Sequence, residues 1–172
     1  MREFIVKVVG LVQKSGLYLA MFLALIMALH ITAEIVGRRF FNYPLSGTIE
    51  IVSYFYMVSV SFLPLGYSQA VGEHISADAF MAVIPRGWRP VAEWLGKMLS
   101  VAICLILLWA TTQMAIQQTQ LGEAVQSAYF DIPVWWTRWL VPLGLLSMIM
   151  VMLAQMFLPE EMQERQEPLS EF

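Results

Sequence analysis

Charge is what this chain has least of. Asp, Glu, Lys and Arg make up 13% of its 172 residues, about half of the roughly 25% usual in soluble domains. Cysteine occurs once, at Cys104 in an apolar run. That excludes an intrachain disulfide and fits a small packing residue. Histidine occurs twice, as His30 and His74. There is no glycine-rich phosphate loop, no metal-ligand cluster and no nucleophile motif. No catalytic role, metal, cofactor or nucleic-acid partner is therefore expected. The net charge of −3 carries no hint of a partner, because Glu160, Glu161, Glu164, Glu167 and Glu171 all lie in the tail.

What is present is apolar sequence, 59% of the chain. It falls into four runs near the roughly 20 residues needed to cross a bilayer: about 16–36, 49–70, 90–116 and 133–157. Lipid-exposed backbone must satisfy its own hydrogen bonds, so each run is predicted to be a helix. Arg2, Lys7 and Lys14 precede the first run as in a signal peptide. The run exceeds an h-region of about 7–15 residues, however, and no clear A-x-A site follows, so it reads as an uncleaved span. Pro90 and Pro133 suit first helical turns. Pro64 and Pro142 lie inside spans and are expected to kink them. Residues 72–89 place Ile75, Ala79, Phe80, Val83 and Ile84 on one side of a short interfacial helix. Residues 117–131 are expected to form a weaker one at the other surface. The fold class is thus all-α and integral to the membrane, with a membrane domain over 1–158 and an acidic cytoplasmic tail over 159–172.

Orientation follows the basic residues. With the N-terminus inside, that side holds Arg2, Lys7, Lys14, Arg86, Arg89, Lys97 and Arg165, while the other holds Arg38, Arg39 and Arg138. Both termini are expected to be cytoplasmic. Trp88 and Trp94 mark one interface. Phe40, Phe41, Tyr43, Trp135, Trp136 and Trp139 mark the other.

The densest polar information lies in residues 34–50, EIVGRRFFNYPLSGTIE. His30, Glu34 and Arg38 form one stripe, and Glu34 to Arg38 has the favourable i,i+4 order. Glu50 falls in the first turn of the second span, where the helix dipole favours an anion, with Gly47 as its cap. These residues read either as a structural ion cluster or as a proton or ion relay; an acid beside two arginines fits the first. Glu93 and Lys97 read as a rim salt bridge. Small residues recur every four positions at Gly16, Ala20, Ala24, Ala28 and Thr32, and again at Gly96, Ser100 and Cys104. Such ladders let helix backbones approach in lipid, within this chain or against another subunit. A haem-binding or quinone-linked anchor is an alternative. His30 and His74 would differ in depth by roughly 25 Å, however, too far to share one iron. A stand-alone small transporter is the other alternative.

Three patches resemble the small membrane subunit of tripartite ATP-independent periplasmic (TRAP) transporters. They are RRFFNYPLSGTIE after the first span, GEHISAD after the second, and the layout of four spans in a short chain. The resemblance implies a non-catalytic subunit of the bacterial inner membrane, surrounded by membrane lipid. Its partners would be a large membrane subunit that carries substrate and sodium, and a periplasmic binding protein that delivers the substrate, often an organic acid anion. Arg38, Arg39 and Asn42 are then candidates for docking the binding protein. Glu34, Glu50 and His30 would hold the hinge, and Gly16, Ala20, Ala24, Ala28, Gly96 and Ser100 would pack helices.

Overall fold

A computed structural model of the chain describes residues 2–42, 46–71, 88–127 and 130–157. It contains four helices long and apolar enough to cross a membrane. The expected interfacial helix at 72–89, the GEHISAD segment, Tyr43, the Glu93 side chain and the tail lie almost wholly outside the described residues.

The first helix runs from Arg2 to Phe40, well beyond the expected 16–36. Its leading end has no proline, and Val6, Val9 and Gln13 supply a buried face that prolongs the packing one. Asn42, at φ 53°, ends it; asparagine tolerates the left-handed conformation that reverses a chain after a helix. The second span is segmented. Thr48–Ile51 is α-helical, Val52–Tyr56 forms one wide π turn, and α-helix resumes over Met57–Phe62. Pro64 then interrupts it, as expected, because proline has no N–H to donate to the carbonyl four residues back. Leu65–Val71 completes the span.

The third helix, Arg89–Leu121, carries Pro90 in its first turn and outruns the expected end at 116. Gly122, at φ 64°, stops it: the Gly122 N–H reaches the Thr119 carbonyl, and the Glu123 N–H reaches that of Gln118 at 3.1 Å. This is the reciprocal closure of a glycine-terminated helix.

Residues 117–131 do not form the expected interfacial helix. Past Gly122 the chain makes a small antiparallel hairpin, β1 (Ala124–Gln126) against β2 (Asp131–Pro133), with Val125 opposite Ile132. Alternating exposure along both strands suits a ribbon lying on a surface rather than a helix with one apolar stripe. Pro133 accordingly ends a strand, where a missing N–H is tolerated, and not the first turn of the fourth span. A short 3₁₀ helix, Trp135–Trp139, leads into the fourth helix, Leu140–Phe157. Pro142 falls in that helix's first turn rather than in its interior.

The fourth helix is the hub. It touches the first helix, the second span and the third helix, whereas the third packs against the fourth and its 3₁₀ lead-in. Val6, Val9, Ala70, Val151 and Ala154 form the buried cluster where the first, second and fourth meet. Lipid is as apolar as these side chains, so close packing must supply the association. Glycines permit it. A β-carbon on Gly66 would overlap the Ser147 hydroxyl, and one on Gly144 would overlap the Phe62 carbonyl oxygen.

Candidate functional site at the hinge rim

The hinge after the first helix and the β hairpin meet at one end of the bundle. Gly47, at φ 89°, lies so close beneath the hairpin that a β-carbon there would be 3.1 Å from Ile132 Cδ1 and 3.2 Å from Phe130 Cζ. Its positive φ opens the second span without a side-chain cap. Glycine is the residue that meets both demands.

Two ion pairs bracket this rim. Glu34 accepts from the Arg38 guanidinium one helical turn on. The Glu34 side chain is 12% exposed and that of Arg38 is 64% exposed, so the acid is covered and the cation reaches outward. Across the rim, Arg138 grips Glu123 with two hydrogen bonds, Nε to Oε2 at 2.8 Å and Nη2 to Oε1 at 2.6 Å. These donated bonds, stronger than the opposing burial, hold the Glu123 carboxyl below the usual carboxylate range. A two-pronged guanidinium–carboxylate pair fixes orientation as well as charge. Here it ties the residue after the third helix to the start of the fourth span. The Glu123 carbonyl also accepts from the N–H groups of Val134 and Trp135.

An aromatic layer underlies the charges. Phe55 packs on Trp136 at 4.9 Å between ring centres, and Tyr56 meets His30 edge-on at 5.9 Å. Both come from the π turn, whose extra residue advances the side chains relative to an α helix. The Trp136 indole donates to the Pro133 carbonyl at 2.8 Å, and that of Trp139 to Thr119 Oγ1 at 3.1 Å.

The expected site residues divide as follows. Glu34 and Arg38 are brought together, and His30 sits beside the second span, with Nε2 3.5 Å from Thr48 Oγ1. Glu50 occupies the first turn of the second span, half-buried, and makes no ion pair with a described residue. Arg39 and Asn42 are exposed, and Arg39 likewise has no ion-pair partner among the described residues. The small-residue ladder splits. Gly16 abuts the Leu63 carbonyl and Ala20 is buried, so these two pack within the chain. Ala24 and Ser100 are half-buried, Ala28 is exposed, and Gly96 has open space where a β-carbon would stand. Sequence reasoning missed the Glu123–Arg138 clamp and the Gly66 and Gly144 contacts. Gly122 was the one local signal that the helix stops there and a new element, β1, starts at Ala124.

A family model described as tripartite ATP-independent periplasmic transporters, DctQ component, matches residues 27–160. No curated protein and no solved structure matches the chain. The matched stretch contains the second, third and fourth spans, the hinge and the hairpin, and so all of the rim.

Proposed function

Because the chain belongs to the DctQ component family of tripartite ATP-independent periplasmic transporters, we propose that it is the non-catalytic small membrane subunit. In this reading it braces a large transport subunit and helps dock a periplasmic binding protein for sodium-coupled import of organic acid anions. Its seat is the bacterial inner membrane, with both termini in the cytoplasm and the hinge rim in the periplasm. The seven-to-three basic asymmetry supports that orientation.

The observation that carries the docking role is the division of labour between adjacent arginines. Arg38 is committed to Glu34, whereas Arg39 stands exposed without an ion-pair partner among the described residues. An exposed cation on this rim suits an acidic patch on a soluble partner, and such charges act chiefly on association rate and salt dependence. Asn42, three residues further along, is exposed as well. Glu34, paired with Arg38, and His30, beside Thr48, hold the hinge in shape, and Glu50 contributes as an anion in the first turn of the second span.

The test is uptake by reconstituted vesicles at limiting binding protein. Arg39→Glu should raise the binding-protein concentration needed for half-maximal uptake about tenfold, the effect of roughly 1.4 kcal/mol, with the complex still assembled. Labelling of Asn42→Cys in a Cys104→Ser background shows which rim faces the binding protein. Unchanged uptake in Arg39→Glu would remove the docking role.

A further inference from the structure

The third helix buries one face and leaves the other bare. Val101, Cys104 and Ala115 are buried, Ala115 completely. At about 100° per residue, Gln113, Gln117 and Gln120 lie within about 60° of one another on the opposite side. All three are exposed. Ile106, 65% exposed, and Trp109, 69% exposed, continue this face toward the helix centre.

Depth makes the face unusual. Trp139 donates to Thr119, and Trp135, Trp136 and Trp139 form the kind of aromatic belt that sits at a membrane interface. Taking that belt as the boundary, Gln113 lies about 9 Å and Trp109 about 15 Å inside it, at about 1.5 Å per residue. The second depth is near the middle of a hydrocarbon layer roughly 30 Å thick. Gln117 and Gln120 can reach lipid headgroups. The Gln113 amide and the Trp109 indole N–H cannot, and neither makes a hydrogen bond to a described residue. Facing acyl chains, both would be left unsatisfied, which is costly. Two polar groups one turn apart, about 9 and 15 Å inside that boundary on the face turned away from this chain's own bundle, favour a polar neighbour at those depths.

We propose that the face of the third helix carrying Ala102, Ile106, Trp109, Gln113 and Gln117 seats a transmembrane helix of the large subunit. That helix offers hydrogen-bonding groups at the depth of Trp109 and Gln113. The assignment rests on the functional reading above and adds the face by which the brace is attached. Ala102 and Ala110 keep this side slim enough for close approach between the larger side chains.

The experiment uses the assembled complex, with a photo-crosslinking residue placed at Ile106 or Ala110, and at Leu25 on the exposed side of the first helix as a control. Adducts with the large subunit from Ile106 and Ala110 but not from Leu25 are expected. In parallel, Trp109→Phe combined with Gln113→Leu should weaken recovery of the large subunit about five- to tenfold, the fold-change for two hydrogen bonds in a membrane. Adducts only with lipid at Ile106 and Ala110, with the large subunit captured at Leu25, overturn the face and leave the subunit role standing. Adducts of twice this chain's mass overturn it in favour of a second copy. A large subunit that never co-purifies and never crosslinks overturns both readings.

Discussion

Arg38 and Arg39 differ by one position and by about 100° around the first helix, and that rotation gives them different surroundings. The Glu34–Arg38 pair was legible in the sequence because both partners lie on one helix, at a spacing set by helix geometry alone. Glu123 and Arg138 are also a salt bridge, but a hairpin separates them, and no periodicity connects residues across a chain reversal. Their pair makes a prediction about acid. The folded carboxyl of Glu123 titrates below its unfolded value because Arg138 donates to it. Its stabilisation is therefore fully present above the unfolded value and is lost as pH falls through the depressed folded one. Glu123→Gln should cost about 1–2 kcal/mol near neutral pH, and the gap from the unaltered protein should close on acidification below the carboxylate range. Thermal unfolding in detergent across that range reads it; a gap independent of pH would rule out the charge as the source.

At the scale of the element, apolar length was enough to find all four helices, because a membrane leaves the backbone few other options. Their ends were harder. The start of the first helix was hidden because Lys7 and Lys14 look like the flank of a span, although Val6 and Val9 on the other side of the helix are packed. The hairpin was missed because strands of three residues carry too little pattern to outweigh a helical reading of their neighbourhood. The π turn at Val52–Tyr56 had no sequence signal at all. Glycine was the residue most easily misjudged. Gly96 sits in a small-residue ladder yet meets nothing, while Gly66 and Gly144 stand alone in apolar runs and make the tight contacts. Gly144→Ala should destabilise the subunit by about 1–3 kcal/mol, the usual cost of overpacking, because the obstacle is the Phe62 backbone and cannot rotate away. Gly96→Ala should leave the subunit's own stability unchanged or slightly raised, since alanine favours helix. Yields of folded protein after mild heating separate the two; equal losses would place both glycines in packed seams.

At the scale of the whole molecule, the four spans, their order and the family were readable from the chain, and the arrangement of neighbours was not. Hydropathy marks which segments enter the bilayer but is silent on which touch, because lipid and a neighbouring helix look equally apolar to a leucine. Shape decides it, through contacts such as Gly16 with Leu63 and Gly66 with Ser147.

The hub position of the fourth helix has a consequence in time. Of the four spans it is the last to leave the ribosome, yet Val151 and Ala154 complete the buried cluster, and the third helix packs on little else. The first and second spans can pair early, but the third must wait in the membrane for a neighbour that has not yet been made. Translation thus imposes a pause during which the half-built subunit offers unpaired helices to membrane proteases and chaperones. A chain stopped after Trp139 should be degraded several times faster than the full chain in a pulse-chase. Equal half-lives would mean that the first three spans settle without their hub.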